Sequence, residues 1–338
     1  MKMTIRLICT LMACIAFVPL PGHACTSLVA SPMATASGKA MLWKHRDTSA
    51  PGNFIERVEP AHPGDIPYVA LFNDGDSLLA EAWAGMNAEG FAVMNTASYN
   101  LAPDTALVRD REGIVMARAL ALCRTVDDFR DLLDSLPRPM GVQANFGVID
   151  AAGNAAYFET NDNGYTIFNI GGNGNPTALI RTNFSVSGND STGMGYIRYE
   201  NASHLLRSHI DSRHLTPALC LDTVSCSFYH SMYGRDILAD TAAHWAVDQD
   251  FIPRHSSTAS IAVEGNVMTV RLGYPPVART YTVTIDSIPE EVRPLLPGFR
   301  SVAGVRSAEL KKLVFPVKRG SGQRYIDLDY LRKNNHYR

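Results

Sequence analysis

Four pairs of short apolar runs, each wrapped around a turn rich in Gly or Asn, constrain the fold of this chain more than any other feature. Residues 25–30 and 40–43 flank Ser37-Gly38, and 80–86 and 91–95 flank Asn87-Ala88-Glu89-Gly90. Residues 142–149 and 155–159 flank Asp150-Ala151-Ala152-Gly153-Asn154, and 261–263 and 267–272 flank Glu264-Gly265-Asn266. Gly and Asn accept the positive φ that tight reversals require, and the runs are strand-length, so each pair predicts a β-hairpin. Hairpins in succession predict a meandering antiparallel sheet.

Between the second and third hairpins the apolar spacing becomes helical. Residues 114–124 and 126–136 carry it, divided by Thr125-Val126-Asp127-Asp128, which fits a capping box. A second helical pair is predicted over 199–210 and 217–228, with Thr216 as cap and Pro217 in the first turn. Helices grouped on sheets predict an α+β layered sandwich. The glycine-rich stretch 171–176 is a loop, because no Lys or Ser/Thr follows it at the spacing of a phosphate cradle.

With 338 residues, 46% of them hydrophobic, the chain has ample material for one large core, and one domain over residues 25–300 is expected. Past Gly298 it turns basic, with Lys311, Lys312, Lys318, Arg319, Arg324, Arg332 and Lys333. Residues 301–338 are therefore expected as a basic C-terminal extension, packed on the domain or trailing from it as a solvated tail. The net charge of −2 comes from interspersed signs and gives no nucleic-acid footprint.

Residues 1–24 read as an export signal. Lys2 and Arg6 precede an apolar run over 7–20, and small residues stand at the −3 and −1 positions of a cut after Ala24. The run is shorter than the roughly 20 residues of a membrane span, and no later segment supplies one. An exported protein, periplasmic or extracellular, is expected. Lipidation of Cys25 is the rival reading; Gly22 stands where bacterial lipoprotein signals usually carry Leu, which favours plain cleavage. Cys9 and Cys14 leave with the signal, and Cys25, Cys123, Cys220 and Cys226 remain without an evident disulfide framework.

Cleavage after Ala24 would place a thiol and a free α-amine on one residue, Cys25. The two groups titrate near 8.5 and 7.7–8.0 in model compounds, so the amine can take the thiol proton and later return one to a leaving nitrogen. Cationic neighbours favour the thiolate further. Such a residue suits attack on an amide carbonyl, given donors for the oxyanion and a group that orients the amine.

Several motifs appear in order. Cys25-Thr26-Ser27 is followed by Gly38-Lys39-Ala40-Met41-Leu42-Trp43-Lys44-His45-Arg46-Asp47. Residues 85–93 run on to Asn95-Thr96, then come Thr182-Asn183-Phe184 and Arg198-Tyr199 at a helix start. Together they resemble the N-terminal-nucleophile hydrolases of the linear-amide group: penicillin V acylases, choloylglycine (bile salt) hydrolases, acid ceramidase-like enzymes and the isopenicillin-N acyltransferase-like family. The resemblance spans most of 25–285 and implies a four-layer αββα sandwich of two antiparallel sheets. It implies Cys25 as nucleophile, Asp47 as the acceptor that orients its amine, Asn183 as an oxyanion donor and Arg198 as the closing arginine of the network. Asn95 or Thr96 would contribute to the oxyanion or substrate site. Lys44 departs from the arginine of many relatives, so either Lys44 or Arg46 supplies the positive charge.

The expected activity is hydrolysis of a linear amide C–N bond in a small molecule, bile-salt-like or penicillin-V-like, through an acyl-enzyme. Acyl transfer and dipeptide cleavage are alternatives within the class, and a non-catalytic secreted ligand-binding protein is the alternative outside it. No cofactor is expected, and the ten histidines form no zinc pattern, so no metal is expected either. A homo-oligomer is left open.

Overall fold

The computed structural model describes residues 24–50, 52–101, 111–189, 192–294, 317–320 and 323–333. The export segment lies outside the described residues except for Ala24.

The first predicted hairpin forms from β1 (Thr26–Ala30) and β2 (Met41–Asp47). A meander follows in which each strand pairs with the next: β3 (Asn53–Val58), β4 (Tyr68–Asn73), β5 (Ala84–Asn87), β6 (Ala92–Ala97), β7 (Ala144–Ile149), β8 (Ala155–Thr160) and β9 (Tyr165–Ile170). Next, β10 (Ala178–Arg181) returns to pair with β1. A small hairpin of β11 (Tyr229–His230) and β12 (Arg235–Asp236) and the short β13 (Trp245–Val247) lead to β14 (Ser257–Glu264), β15 (Val267–Leu272) and β16 (Thr280–Val283). The last three complete a six-stranded antiparallel sheet ordered β10-β1-β2-β14-β15-β16, which faces the seven-stranded meander β3–β9.

Strand alternation explains why the sheets stack. One face of each contributes to a shared core containing Val29, Leu42, Ile261 and Val270 from the six-stranded sheet and Ile55, Val69, Leu71, Met94 and Tyr157 from the seven-stranded one. The outer face of the meander, with Phe72, Val93, Phe146 and Phe158, is covered by α1 (Glu112–Leu122) and α2 (Val126–Ser135) through Met116, Leu120, Phe129 and Leu133. The other outer face, with Leu28, Met41, Trp43 and Ala262, is covered by Ala202 and Leu206 of α3 (Tyr196–Asp211) and by Leu221 and Val224. The result is the four-layer αββα sandwich, an α+β fold.

The capping box at Thr125 is complete: its hydroxyl accepts from the Asp128 amide, and the Asp128 carboxylate accepts from the Thr125 amide. Elsewhere the structure departs from the sequence reading. The first helix begins two residues earlier, at Glu112, and the third begins at Tyr196 rather than 199. The fourth is not one regular helix over 217–228: Leu219–Thr223 forms a π turn and Val224–Cys226 a 3-10 turn. This widened turn lets the Ser225 hydroxyl donate to the Cys220 carbonyl at 2.8 Å while meeting Ser260 of β14 at 2.7 Å. Cys25, Cys123, Cys220 and Cys226 are all free thiols.

The basic extension is not simply a solvated tail. Its β17 (Val317–Gly320) and β18 (Gln323–Asp327) form a hairpin that adds to β13, and α4 (Leu328–Lys333) follows. Ile326, Leu328 and Leu331 are buried against Phe228, Phe251 and Tyr274. Lys311 and Lys312 lie outside the described residues. Among the described residues no helix is long and apolar enough to cross a membrane, and no group of three or more His, Cys, Asp and Glu is placed to hold a metal ion.

Candidate active site

Cys25 stands at the head of β1, 5% exposed, and every residue singled out from the sequence is buried. Pairing of β1 with β2 brings it beside the end of β2, and its Sγ lies 3.9 Å from the Asp47 carbonyl oxygen. Its backbone nitrogen donates to Asn183 Oδ1 at 3.1 Å. The resemblance assigned that nitrogen to Asp47; in this structure, where Cys25 follows Ala24 in an unbroken chain, Asn183 takes it.

Asn183 is carried just beyond β10, which pairs with β1, so the sheet register sets its distance from Cys25. Its Nδ2 donates to the Ala97 carbonyl at 2.8 Å. Arg198, in the first turn of α3, donates from Nη2 to Asn183 Oδ1 at 2.7 Å, from Nη1 to the Cys25 carbonyl at 2.7 Å and from Nε to the Gln249 carbonyl at 3.2 Å. This planar fork bridges three chain segments, a geometry that suits guanidinium and not ammonium. Gly195, the residue before α3, has φ +83°, and a Cβ there would stand 2.5 Å from an Arg198 nitrogen. Glycine is required on both counts.

Asp47 ends β2 opposite Ser257 of β14, where a bulge shifts the register by one residue between Ser257 and Ala259. The Ser257 hydroxyl donates to Asp47 Oδ1 at 2.6 Å and meets His45 Nε2 at 2.8 Å. Asp47 Oδ2 is buried without a hydrogen-bond partner, with Arg254 Nη1 3.7 Å away. Burial pushes the Asp47 carboxyl up to about 6, against the pull of Arg254, Arg198 and the Ser257 hydroxyl. Burial also lowers His45 to about 3, so this imidazole is neutral at ordinary pH and serves Ser257 as a hydrogen-bond partner.

Alternation along β2 sends Lys44 and Arg46 to the opposite face from His45 and Asp47. Lys44 Nζ donates to the Trp83 carbonyl at 2.7 Å and to Asn95 Oδ1 at 2.6 Å, filling the place beside β6 where β5 has not yet begun. Burial lowers Lys44 to about 8, while a Cys25 thiolate and Glu112 pull the other way. Arg46 donates instead to Asn53 and Asn73 on β3 and β4. Thr96 accepts from Asn145 Nδ2 at 3.0 Å, and Asn95 donates to Glu112 in the first turn of α1. The cation tied to Asn95 is thus Lys44, and Arg46 braces the strand ends.

Glu112, His45, Ser257, Asp248 and Arg254 were not identified from the sequence. Glu112 reads there as an ordinary acidic residue before a helix, and Ser257 and Arg254 carry no motif. Only the β2–β14 pairing brings Ser257 to Asp47.

The four-layer αββα sandwich is the fold the N-terminal-nucleophile resemblance implied, and in it an asparagine and an arginine meet the buried cysteine that precedes the first strand. The family model described as "Acyl-coenzyme A:6-aminopenicillanic acid acyl-transferase" matches residues 80–211. The match contains Asn95, Glu112, Asn183 and Arg198, leaves Cys25 and Asp47 outside it, and supports the N-terminal-nucleophile group of amide-cleaving enzymes and acyltransferases. No curated protein matches the chain. Among solved structures, it is similar to a Caenorhabditis elegans N-acylethanolamine-hydrolyzing acid amidase ortholog (16% identity, 70% of this chain and 92% of that one, TM-score 0.44). It is also similar to a mutant conjugated bile acid hydrolase from Clostridium perfringens (10% identity, 78% and 93%, TM-score 0.48). A third is penicillin V acylase from Agrobacterium tumefaciens (11% identity, 78% and 87%, TM-score 0.41).

Proposed function

We propose that this chain is an exported cysteine N-terminal-nucleophile hydrolase that cleaves a linear amide C–N bond in a small N-acyl substrate. Cleavage after Ala24 converts the Cys25 nitrogen from an amide into an amine. The observation that carries this reading is the setting of that nitrogen: it points at Asn183 Oδ1, itself gripped by Arg198, while Asp47 Oδ2 is buried without a hydrogen-bond partner. An ammonium donates three hydrogen bonds where an amide donates one, so release of the leader supplies a donor for Asp47 Oδ2 while the bond to Asn183 Oδ1 is kept.

The freed amine takes the Cys25 proton, and sulfur attacks the amide carbonyl. The tetrahedral oxyanion collapses as the ammonium returns a proton to the departing nitrogen, leaving a thioester on Cys25. Water, deprotonated by the same amine, releases the acid and restores the thiol. Donors near the developing oxyanion, among them groups around Asn183, Asn95 and Thr96, supply its stabilisation. Acyl transfer is the second reading, favoured by the acyl-transferase description of the matched family; an amine that outcompetes water for the thioester would then be the true co-substrate.

Intact mass of the exported protein, before and during incubation with a panel of N-acyl amides, tests the proposal. The expected chain begins at Cys25 and gains one acyl mass, which C25A does not. A first residue other than Cys25, with no turnover of any amide, overturns it. A chain that binds amides reversibly and equally well as C25A is a ligand-binding protein instead.

A further inference from the structure

We infer that the C-terminal hairpin is part of the catalytic apparatus: Arg324 on β18 is a positioning residue that acts on Asp47 through Asp248 and Arg254. The inference rests on the reading of Asp47 as the acceptor for the Cys25 amine.

Four charges alternate in sign along this line. Arg254 Nη1 lies 3.7 Å from Asp47 Oδ2, and its Nε lies 3.9 Å from Asp248 Oδ2. Arg324 Nη1 lies 3.8 Å from the same Asp248 oxygen and 3.2 Å from His255 Nδ1, while the His255 amide donates to Asp248 Oδ1 at 2.7 Å. Both carboxylates are sealed, with side-chain exposures of 0% for Asp47 and 2% for Asp248. A buried carboxylate without its own cation is costly, so with Arg254 alone the two anions would compete for one guanidinium. Arg324 neutralises Asp248 and thereby leaves Arg254 to Asp47.

Sheet pairing makes the arrangement definite. Val247 of β13 pairs with Tyr325 of β18, which sets Arg324 beside Asp248, the next residue after β13. Ile326, Leu328 and Leu331 anchor the hairpin in an apolar cluster with Phe228 and Phe251. The groups facing Asp47 are therefore His45 of its own strand, Ser257 of β14, Arg254 and Asp248 of the preceding loop, Arg198 of α3 and Cys25 before β1.

The test reads Asp47 directly, by carboxyl-carbon NMR of the aspartate-labelled exported protein, with the resonance assigned through D47N. R254Q is expected to raise the Asp47 midpoint by about one pH unit, and R324Q to raise it less, whereas R324K holds it near the wild-type value. D248N is expected to lower it with the urea unfolding midpoint kept, whereas general loosening of the fold, which would also expose Asp47 and lower its midpoint, costs stability. R324Q added to D248N is expected to change nothing further, because Arg324 acts through Asp248. Equal midpoints in wild type and R324Q, or an unmoved or raised midpoint in D248N, overturn the inference; if R324Q does not fold, D248N decides alone, read with its urea unfolding midpoint equal to that of the wild type. Shifted midpoints without any acyl-enzyme on Cys25 would sink the hydrolase reading and leave the ladder standing, while an acyl-enzyme with unmoved midpoints does the reverse.

Discussion

The Cys25 nitrogen and Asn183 Oδ1 lie 3.1 Å apart across 158 positions of sequence, and Arg198 grips the same oxygen from the other side. N183A removes the acceptor and leaves a buried guanidinium with an unmet donor. Loss of such a group at a reacting centre is expected to lower kcat by roughly 10²–10³-fold. Steady-state kinetics on the best amide of the panel checks it; a change below tenfold would remove Asn183 from the mechanism.

Arg198 bridges Cys25, Asn183 and Gln249. In R198K the charge stays but one ammonium cannot span these acceptors, so a stability loss of about 2 kcal/mol is expected, with activity falling at least in proportion. Urea unfolding midpoints measure the first and turnover the second.

Asp47 is raised to about 6 by burial, above its unfolded value of 3.8. The folded state holds the extra proton between these values, so the stability this group contributes is present at low pH and is lost as pH rises through the window. Activity runs the other way, because the carboxylate is the working form: an acid limb near pH 6 is expected. S257A removes a hydrogen bond that favours the charged form and should move that limb upward. An unmoved limb in S257A would count against Asp47 as the titrating group.

Lys44 is lowered to about 8 by burial, against 10.5 when unfolded. Here the folded state holds fewer protons between the two values, so stability rises as pH climbs through them, by up to about 3 kcal/mol in total. K44M should lack this rise. Chemical unfolding of both proteins at several pH values between 7.5 and 10 isolates the difference.

Thr125 caps α2 with both halves of its box satisfied. T125A should cost about 1 kcal/mol and lower Tm by about 2 °C, with kcat unchanged, as measured by thermal unfolding and turnover. It serves as the control for the site variants, since α2 packs on the far side of the seven-stranded sheet from the six-stranded one.

Much of the frame was legible because its signals are local. The turn at 87–90 places Gly90 at φ +83°, and Thr125 answers Asp128 three residues away. β3 and β4 were not read, because Asn53–Val58 buries Phe54 and Ile55 in succession and then runs into polar residues, without clean alternation. The basic residues after Gly298 looked like a solvated run, yet Arg324 reaches the buried Asp248. Sequence spacing alone carries no information about that meeting.

The sequence by itself determined the hairpins, the capped helix α2 and the candidates Cys25, Lys44, Arg46, Asp47, Asn95, Thr96, Asn183 and Arg198, because turns, caps and motifs act over a few residues. Only the tertiary structure decided which of them meet. The Cys25 amide donates to Asn183, Lys44 and not Arg46 reaches Asn95, and Ser257 and Arg254 reach Asp47. Those choices follow from strand register across more than half the chain, where a one-residue slip would turn every side chain to the other face.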